Sequence, residues 1–213
     1  MHIAILGAGN VGGALGLGWA RAGHQISYGV PDPKDPRHAK TAEAAGNAKL
    51  GTVAEAVAGA EVIVLAVPWD AVPDAIAACG DLTGRLVIDV TNPLRFSANG
   101  LELALGFDNS GGETVAALAR GASVFKTMNQ VGFAVMADAT FYPVRPSMFI
   151  AGDDESRLPI VTRLVNNLGF EPISAGPMRL ARLLEPYAML WIHQVVNRGM
   201  PGDSAFALLR RAH

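Results

Sequence analysis

The feature that most constrains this chain is Gly7-Ala8-Gly9-Asn10-Val11-Gly12. It follows a short apolar run at residues 2–6 (HIAIL) and opens a stretch with helical pattern at residues 10–22. Gly23 comes directly after, where a helix-terminating residue belongs. A G-x-G-x-x-G turn between strand and helix has a specific physical use. The first glycine permits the tight turn, the second lets a ligand approach the backbone, and the third lets helix and strand pack closely. The free amides of the helix N-terminus and its dipole then face an anion. The spacing implies a bound pyrophosphate, and so a dinucleotide, NADP or NAD.

The rest of the chain alternates in the way such a turn requires. Strands are expected at 25–29, 61–67, 85–90, 123–128, 147–151 and 170–174. The run EVIVLAV is apolar from Val62 onward, as in strands buried on both faces, and RLVIDV reads as another buried strand. Helices are expected at 39–45, 70–79, 113–119, 132–137 and 177–198, with short ones from Thr52 to residue 58 and at 204–211. A further helix opens at Gly152-Asp153-Asp154 and runs through 168. Residues 30–38 hold three prolines and read as a loop, and 94–111 read as a long loop. Strand and helix in alternation, with strands rich in Val, Ile and Leu, define an α/β, doubly wound Rossmann NAD(P)-binding fold with a small C-terminal helical extension. The expected division is residues 1–176 for nucleotide binding and 177–213 for the C-terminal helical segment. The apolar stretch YAMLWIHQVV in that segment suggests a homodimer contact.

Candidate binding residues follow from where strands end, because ligands lie outside the carboxyl edge of such a sheet. Residues 7–12 take the pyrophosphate. Val30 and Pro31 follow the second strand, where the adenosine ribose is read, and Lys34 and Arg37 are the cations within reach of a 2′-phosphate. Val67, Pro68 and Trp69 end one central strand, and Asn92 and Pro93 end the next. Lys126, Asn129, Val131 and Phe133, around the end of a later strand, are the candidates for the substrate side. No catalytic residue is assigned, because hydride transfer needs only two rings held in place.

Other classes are excluded by composition. With 17 basic and 19 acidic residues, net charge −2, the chain lacks a basic footprint for nucleic acid. One cysteine, Cys79, excludes an intrachain disulfide and any Cys-rich zinc site. The histidines, at 2, 24, 38, 193 and 213, have no metal-ligand spacing, so no metal is expected. No apolar run reaches the roughly 20 residues that span a bilayer, and no signal peptide precedes residue 2. The expected location is the cytoplasm.

Beyond the glycine turn, the chain resembles the F420-dependent NADP oxidoreductase family, which is related to the N-terminal oxidoreductase domain of the STEAP ferric reductases. The resemblance rests on residues 7–12, Val67-Pro68-Trp69, Phe125-Lys126-Thr127-Met128-Asn129, Ala151-Gly152-Asp153-Asp154, and the tail from Gly176-Pro177 through Leu184-Glu185-Pro186. It implies a dimeric Rossmann protein that passes hydride between NADP and a second ring, coenzyme F420 or a flavin. It also implies that residues 129–133 face that ring. The family commonly has Gly-Ser-Arg after the second strand, whereas this chain has Gly29-Val30-Pro31. Two other readings fit the same residues: a non-catalytic NAD(P) sensor, and an imine or carbonyl reductase of the broader Rossmann group.

Overall fold

In chain order the elements are β1 (His2–Leu6), α1 (Asn10–Arg21), β2 (Gln25–Gly29), α2 (Pro36–Ala44), β3 (Lys49–Gly51), α3 (Val53–Val57), β4 (Val62–Leu65), α4 (Val72–Ala77) and β5 (Leu86–Asp89). There follow β6 (Leu94–Ser97), β7 (Gly100–Leu103), α5 (Gly111–Leu118), β8 (Ser123–Lys126), α6 (Phe133–Met136), β9 (Ser147–Gly152), α7 (Leu158–Asn167), β10 (Glu171–Gly176) and α8 (Ala181–Arg198). The computed structural model describes residues 1–46, 48–98 and 100–211; His213 lies outside the described residues.

Eight strands form one sheet in the order β10-β9-β8-β5-β4-β1-β2-β3. From β3 to β8 every pair is parallel, β9 runs antiparallel to β8, and β10 is parallel to β9. The chain winds outward from β1 in one direction and from β4 in the other, so the switch point lies between β1 and β4. The doubly wound α/β fold expected from the sequence is present.

Alternate strand residues enter two separate cores. Ile3, Ile5, Val62, Val64, Leu86 and Ile88 pack with Leu15 and Trp19 of α1 and with Val161, Leu164 and Val165 of α7. Ala4, Leu6, Ile63, Leu65 and Val87 pack on the opposite face with Val57, Ile76, Val115 and Ala181. This is why β4 and residues 86–88 of β5 read as apolar runs without polar alternation. Local chemistry sets several helix starts. Asp35 caps α2 with Pro36 in its first turn, and Thr52 and Glu55 form a reciprocal capping box on α3. Pro73 falls in the first turn of α4, where it displaces no helical hydrogen bond.

The structure corrects three sequence expectations. Residues 94–97 and 100–103 pair as an antiparallel hairpin, β6–β7, rather than forming loop. Helix α7 starts at Leu158, later than Gly152-Asp153-Asp154. Residues 204–211 are not helical. This tail instead lies along β9, with the Ser147 amide donating to Phe206 O (3.0 Å) and the Leu208 amide to Ser147 Oγ (2.8 Å). Among the described residues, no helix is long and apolar enough to cross a membrane.

Candidate functional site

The turn between β1 and α1 has the geometry its glycines predict. Gly7 has φ +102°, and a Cβ there would lie 2.5 Å from Ala66 O. A Cβ on Gly12 would lie 2.0 Å from Gly7 O, so the helix can begin here only with glycine. Gly9 is exposed, and a Cβ on it would meet nothing within 4 Å. The space in front of it is open to a ligand. No side chain caps α1. Its first amides therefore point outward unsatisfied by protein, as an anion site requires.

These amides open onto a cleft of about 720 Å³ at the carboxyl edge of the sheet. Gly9, Asn10 and Val11 form one side, Val67, Pro68 and Trp69 another, and Thr91 and Asn92 the floor at the end of β5. Leu94, Arg95, Phe96 and Leu101 of the β6–β7 hairpin close the far side. The size falls within the range of roughly 300–1,000 Å³ usual for small-molecule sites. Pro93 is buried just behind, its carbonyl accepting from Ala104 at 2.7 Å.

A second groove of about 540 Å³ runs from Ala8, Gly9 and Asn10 across to α2 and α6. Arg37 and Lys40 stand on its rim. Thr41 ties α2 to the glycine turn by donating from Oγ1 to Ala8 O at 3.1 Å. The Arg37 guanidinium is bidentate to Asp35, with contacts of 2.6–3.1 Å, and that pairing holds the Asp35 carboxyl down to about 2. Lys34 is exposed, and its amide closes a turn onto Asp32. Val30 is 1% exposed and part of the core, so its side chain is not free to touch the ribose. Pro31 is exposed beside it.

The residues expected on the substrate side sit elsewhere. Lys126 has no exposed surface. Its Nζ donates to Asp89 Oδ2 (2.9 Å) and Thr91 O (2.6 Å) and lies 3.1 Å from Glu185 Oε1. With its three donors engaged and no access, Lys126 cannot bind substrate. It is instead the cation of a buried triad. Glu185, on α8, also accepts from the amides of Gly111 and Gly112 at 2.9 Å each, so it caps α5. Asp89 Oδ1 receives the Thr91 amide (2.9 Å) and hydroxyl (2.7 Å). The triad thus joins the C-terminal helix, the start of α5 and the cleft floor.

Asn129 and Val131 are 4% and 6% exposed; Asn129 lies behind that floor, and Val131 belongs to the hydrophobic core. The Asn92 side-chain amide donates to Asn129 O at 2.9 Å, and the Asn129 side-chain amide donates to Asn92 Oδ1 at 3.0 Å. Met128 takes φ +59° to turn the chain into this contact. Phe133 is half exposed but lines the second groove, not the main cleft. The sequence reading missed Lys40, Thr91 and the hairpin residues. An Asn99-Gly100 dipeptide between two leucine-containing runs was the available hairpin signal.

A doubly wound sheet with a glycine turn at its switch point, opening on a cleft, defines the class: a Rossmann protein built to hold a dinucleotide. The model of the family described as NADP oxidoreductase, coenzyme F420-dependent, matches residues 2–93, somewhat under half of the chain. A crystal structure of a protein from Arthrobacter sp. FB24, provisionally named an F420-dependent NADP-reductase, is 28% identical. That match covers 99% of this chain and 100% of the other, with a TM-score of 0.89. A hypothetical protein from Sinorhizobium meliloti is 27% identical over 84% of this chain and 86% of its own, with a TM-score of 0.74. An imine reductase from Myxococcus stipitatus in complex with NADP+ is 17% identical over 93% of this chain and 63% of its own. Its TM-score is 0.68, a likeness of fold.

Proposed function

We propose that the protein binds NADP(H) across the carboxyl edge of its sheet and passes hydride between the nicotinamide and a second planar acceptor, a deazaflavin or a flavin. The observation that carries this reading is the uncapped N-terminus of α1, with open space at Gly9, at the head of the main cleft. The amides following Gly9 would take the pyrophosphate, and Trp69, Thr91 and Asn92 would hold the nicotinamide. The 2′-phosphate of the adenosine ribose falls to Lys34, Arg37 and Lys40, which replace the polar readers absent at Val30-Pro31. A reduced nicotinamide supplies a hydride which, with one proton from solvent, reduces the acceptor and leaves the oxidised ring.

The chain's own residues bind and orient. The Asn92–Asn129 pair and the Lys126 contact to Thr91 O fix the floor beneath the ring, so its position is set before the acceptor arrives. The apolar residues of α8 left exposed, Leu183, Leu190 and Val196, are the proposed contact of a homodimer.

Dissociation constants for NADPH and NADH test the reading directly. NADPH should bind more tightly. The double variant Lys34→Ala/Arg37→Ala should weaken NADPH by about tenfold or more, as for lost charge-assisted hydrogen bonds, and leave NADH unchanged. Stopped-flow oxidation of NADPH by a deazaflavin or flavin should then be seen. A protein that binds neither dinucleotide refutes the proposal.

A further inference from the structure

The β6–β7 hairpin is held at its base and projects beside the cleft. Pro93 O and the Ala104 amide close its foot at 2.7 Å, and the Leu94 amide donates to Asn92 O at 2.9 Å. Among the described residues its strands pair with each other alone, forming a separate two-stranded sheet. A lone hairpin has little stability of its own in water. This one nonetheless presents Phe96 to solvent at 86% exposure, on the cleft wall with Leu94 and Leu101. Arg95 stands opposite Glu102 in the pairing register, and its Nε donates to Glu102 Oε1 at 2.9 Å. The pair is exposed, at 61% and 36%. Among the described residues, no other hydrogen bond engages the Arg95 guanidinium, so its remaining donors face solvent and the cleft.

The rest of the cleft wall is largely apolar. Val11, Val67, Pro68, Val90 and Trp69 face the hairpin residues, and Asp70 and Arg95 are the charged residues of the lining. A dinucleotide on the glycine turn uses the end of the cleft at Gly9–Val11. That leaves the outer end, between Trp69 and the hairpin, for the acceptor.

We infer that this hairpin is the acceptor-binding wall. Phe96 packs against a flat aromatic ring, and Arg95 receives an anionic group carried on that ring's side chain. The inference rests on the proposed placement of the nicotinamide over Thr91 and Asn92. It replaces the expected substrate residues Lys126, Asn129 and Val131, which are enclosed. The ligand class is a planar heteroaromatic with a phosphate or carboxylate tail. A neutral tail forgoes the Arg95 contact, and a small saturated carbonyl leaves Phe96 uncovered.

FMN and riboflavin, identical but for the phosphate, are the probes, each titrated by flavin fluorescence into protein saturated with NADP+ and each assayed with NADPH. Wild type should bind FMN more tightly than riboflavin. Phe96→Ala should weaken both by about fivefold, the scale of one aromatic contact. Arg95→Gln should weaken FMN by about tenfold and leave riboflavin unchanged, and Arg95→Lys should restore most of the difference. The NADPH dissociation constant should be the same in all four proteins. Wild type that binds NADPH but neither flavin overturns the inference while leaving dinucleotide binding intact. Wild type that binds no NADPH removes the reading beneath it. Equal losses for FMN and riboflavin in Arg95→Gln overturn the assignment of Arg95. A Phe96→Ala protein with unchanged flavin affinity, or one that changes from dimer to monomer, shows the hairpin serving another purpose.

Discussion

Replacing Lys126 by Met should be among the most damaging single changes available in this protein. The methionine occupies much of the volume of the lysine stem, so little cavity is created. What is lost is the charge between two buried carboxylates. Asp89 keeps its two bonds from Thr91, and Glu185 keeps the amides of Gly111 and Gly112. Asp89 Oδ2 and Thr91 O lose their donor, however, and Glu185 loses its cation at 3.1 Å. Asp89 is 0% exposed and Glu185 1%, so water cannot replace the ammonium. Removing one partner of a buried ion set costs about 3–5 kcal/mol. For a chain of this length each kcal/mol lowers the melting temperature by about 2–4 °C, so the expected fall is roughly 6–20 °C. Differential scanning calorimetry and urea unfolding followed by tryptophan fluorescence measure it. The triple variant Lys126→Met/Asp89→Asn/Glu185→Gln removes all three charges and should recover a large part of the loss. A single variant within about 1 kcal/mol of wild type refutes the reasoning. So does a triple variant no better than the single one, because then charge was never the cause.

The remaining predictions concern other layers of the structure. Gly12→Ala places a methyl 2.0 Å from Gly7 O, so it should displace the start of α1 and abolish dinucleotide binding; calorimetry with NADPH reads this directly. Tyr28→Phe should stabilise the protein or leave it unchanged in urea unfolding. The Tyr28 hydroxyl is buried and has no partner among the described residues, and burial pushes its pKa up to about 12. Cys79, pushed up to about 11 mainly by burial, should react slowly with an aromatic disulfide at pH 8 and speed up as the pH approaches 11. Glu113 is held below the usual carboxylate range, first by its hydrogen bonds from Arg182, so its contribution is present above the unfolded pKa and is lost as pH falls through the folded one. Glu113→Gln should therefore flatten the acid side of the stability curve, measured by urea unfolding between pH 6 and 3.

The interior of the sheet was readable because its chemistry is local. EVIVLAV and RLVIDV needed no knowledge of their neighbours to read as strands covered on both faces. The glycine turn was equally readable, since each glycine answers a constraint set within a few residues of it. Expectations failed where a distant segment decided the outcome. Residues 204–211 have helix-forming composition, yet the amide and hydroxyl of Ser147 hold them extended along β9. The hairpin was missed because Leu-Arg-Phe-Ser alternates without a buried face, the pattern of a strand that pairs but does not enter a core.

The misplacement of Lys126 has the same physical origin and bears on the site. Within RLVIDV, Asp89 reads as an interruption in an apolar strand, and Lys126 reads as a cation close to the ligand edge. Each is explained only by the other and by Glu185, residues distant in sequence that meet at one buried point. Once they meet, the lysine is unavailable for chemistry, and the contacts a substrate would need shift outward to the exposed hairpin. The triad also explains how a cleft floor made from strand ends can be rigid. Thr91 O is fixed by Lys126, and Asn92 by Asn129. The C-terminal helix supplies the carboxylate that completes the triad. The helix is therefore a structural part of the cleft floor rather than an appendage to it, and changes on α8 at Glu185 should be felt at Thr91 without touching it.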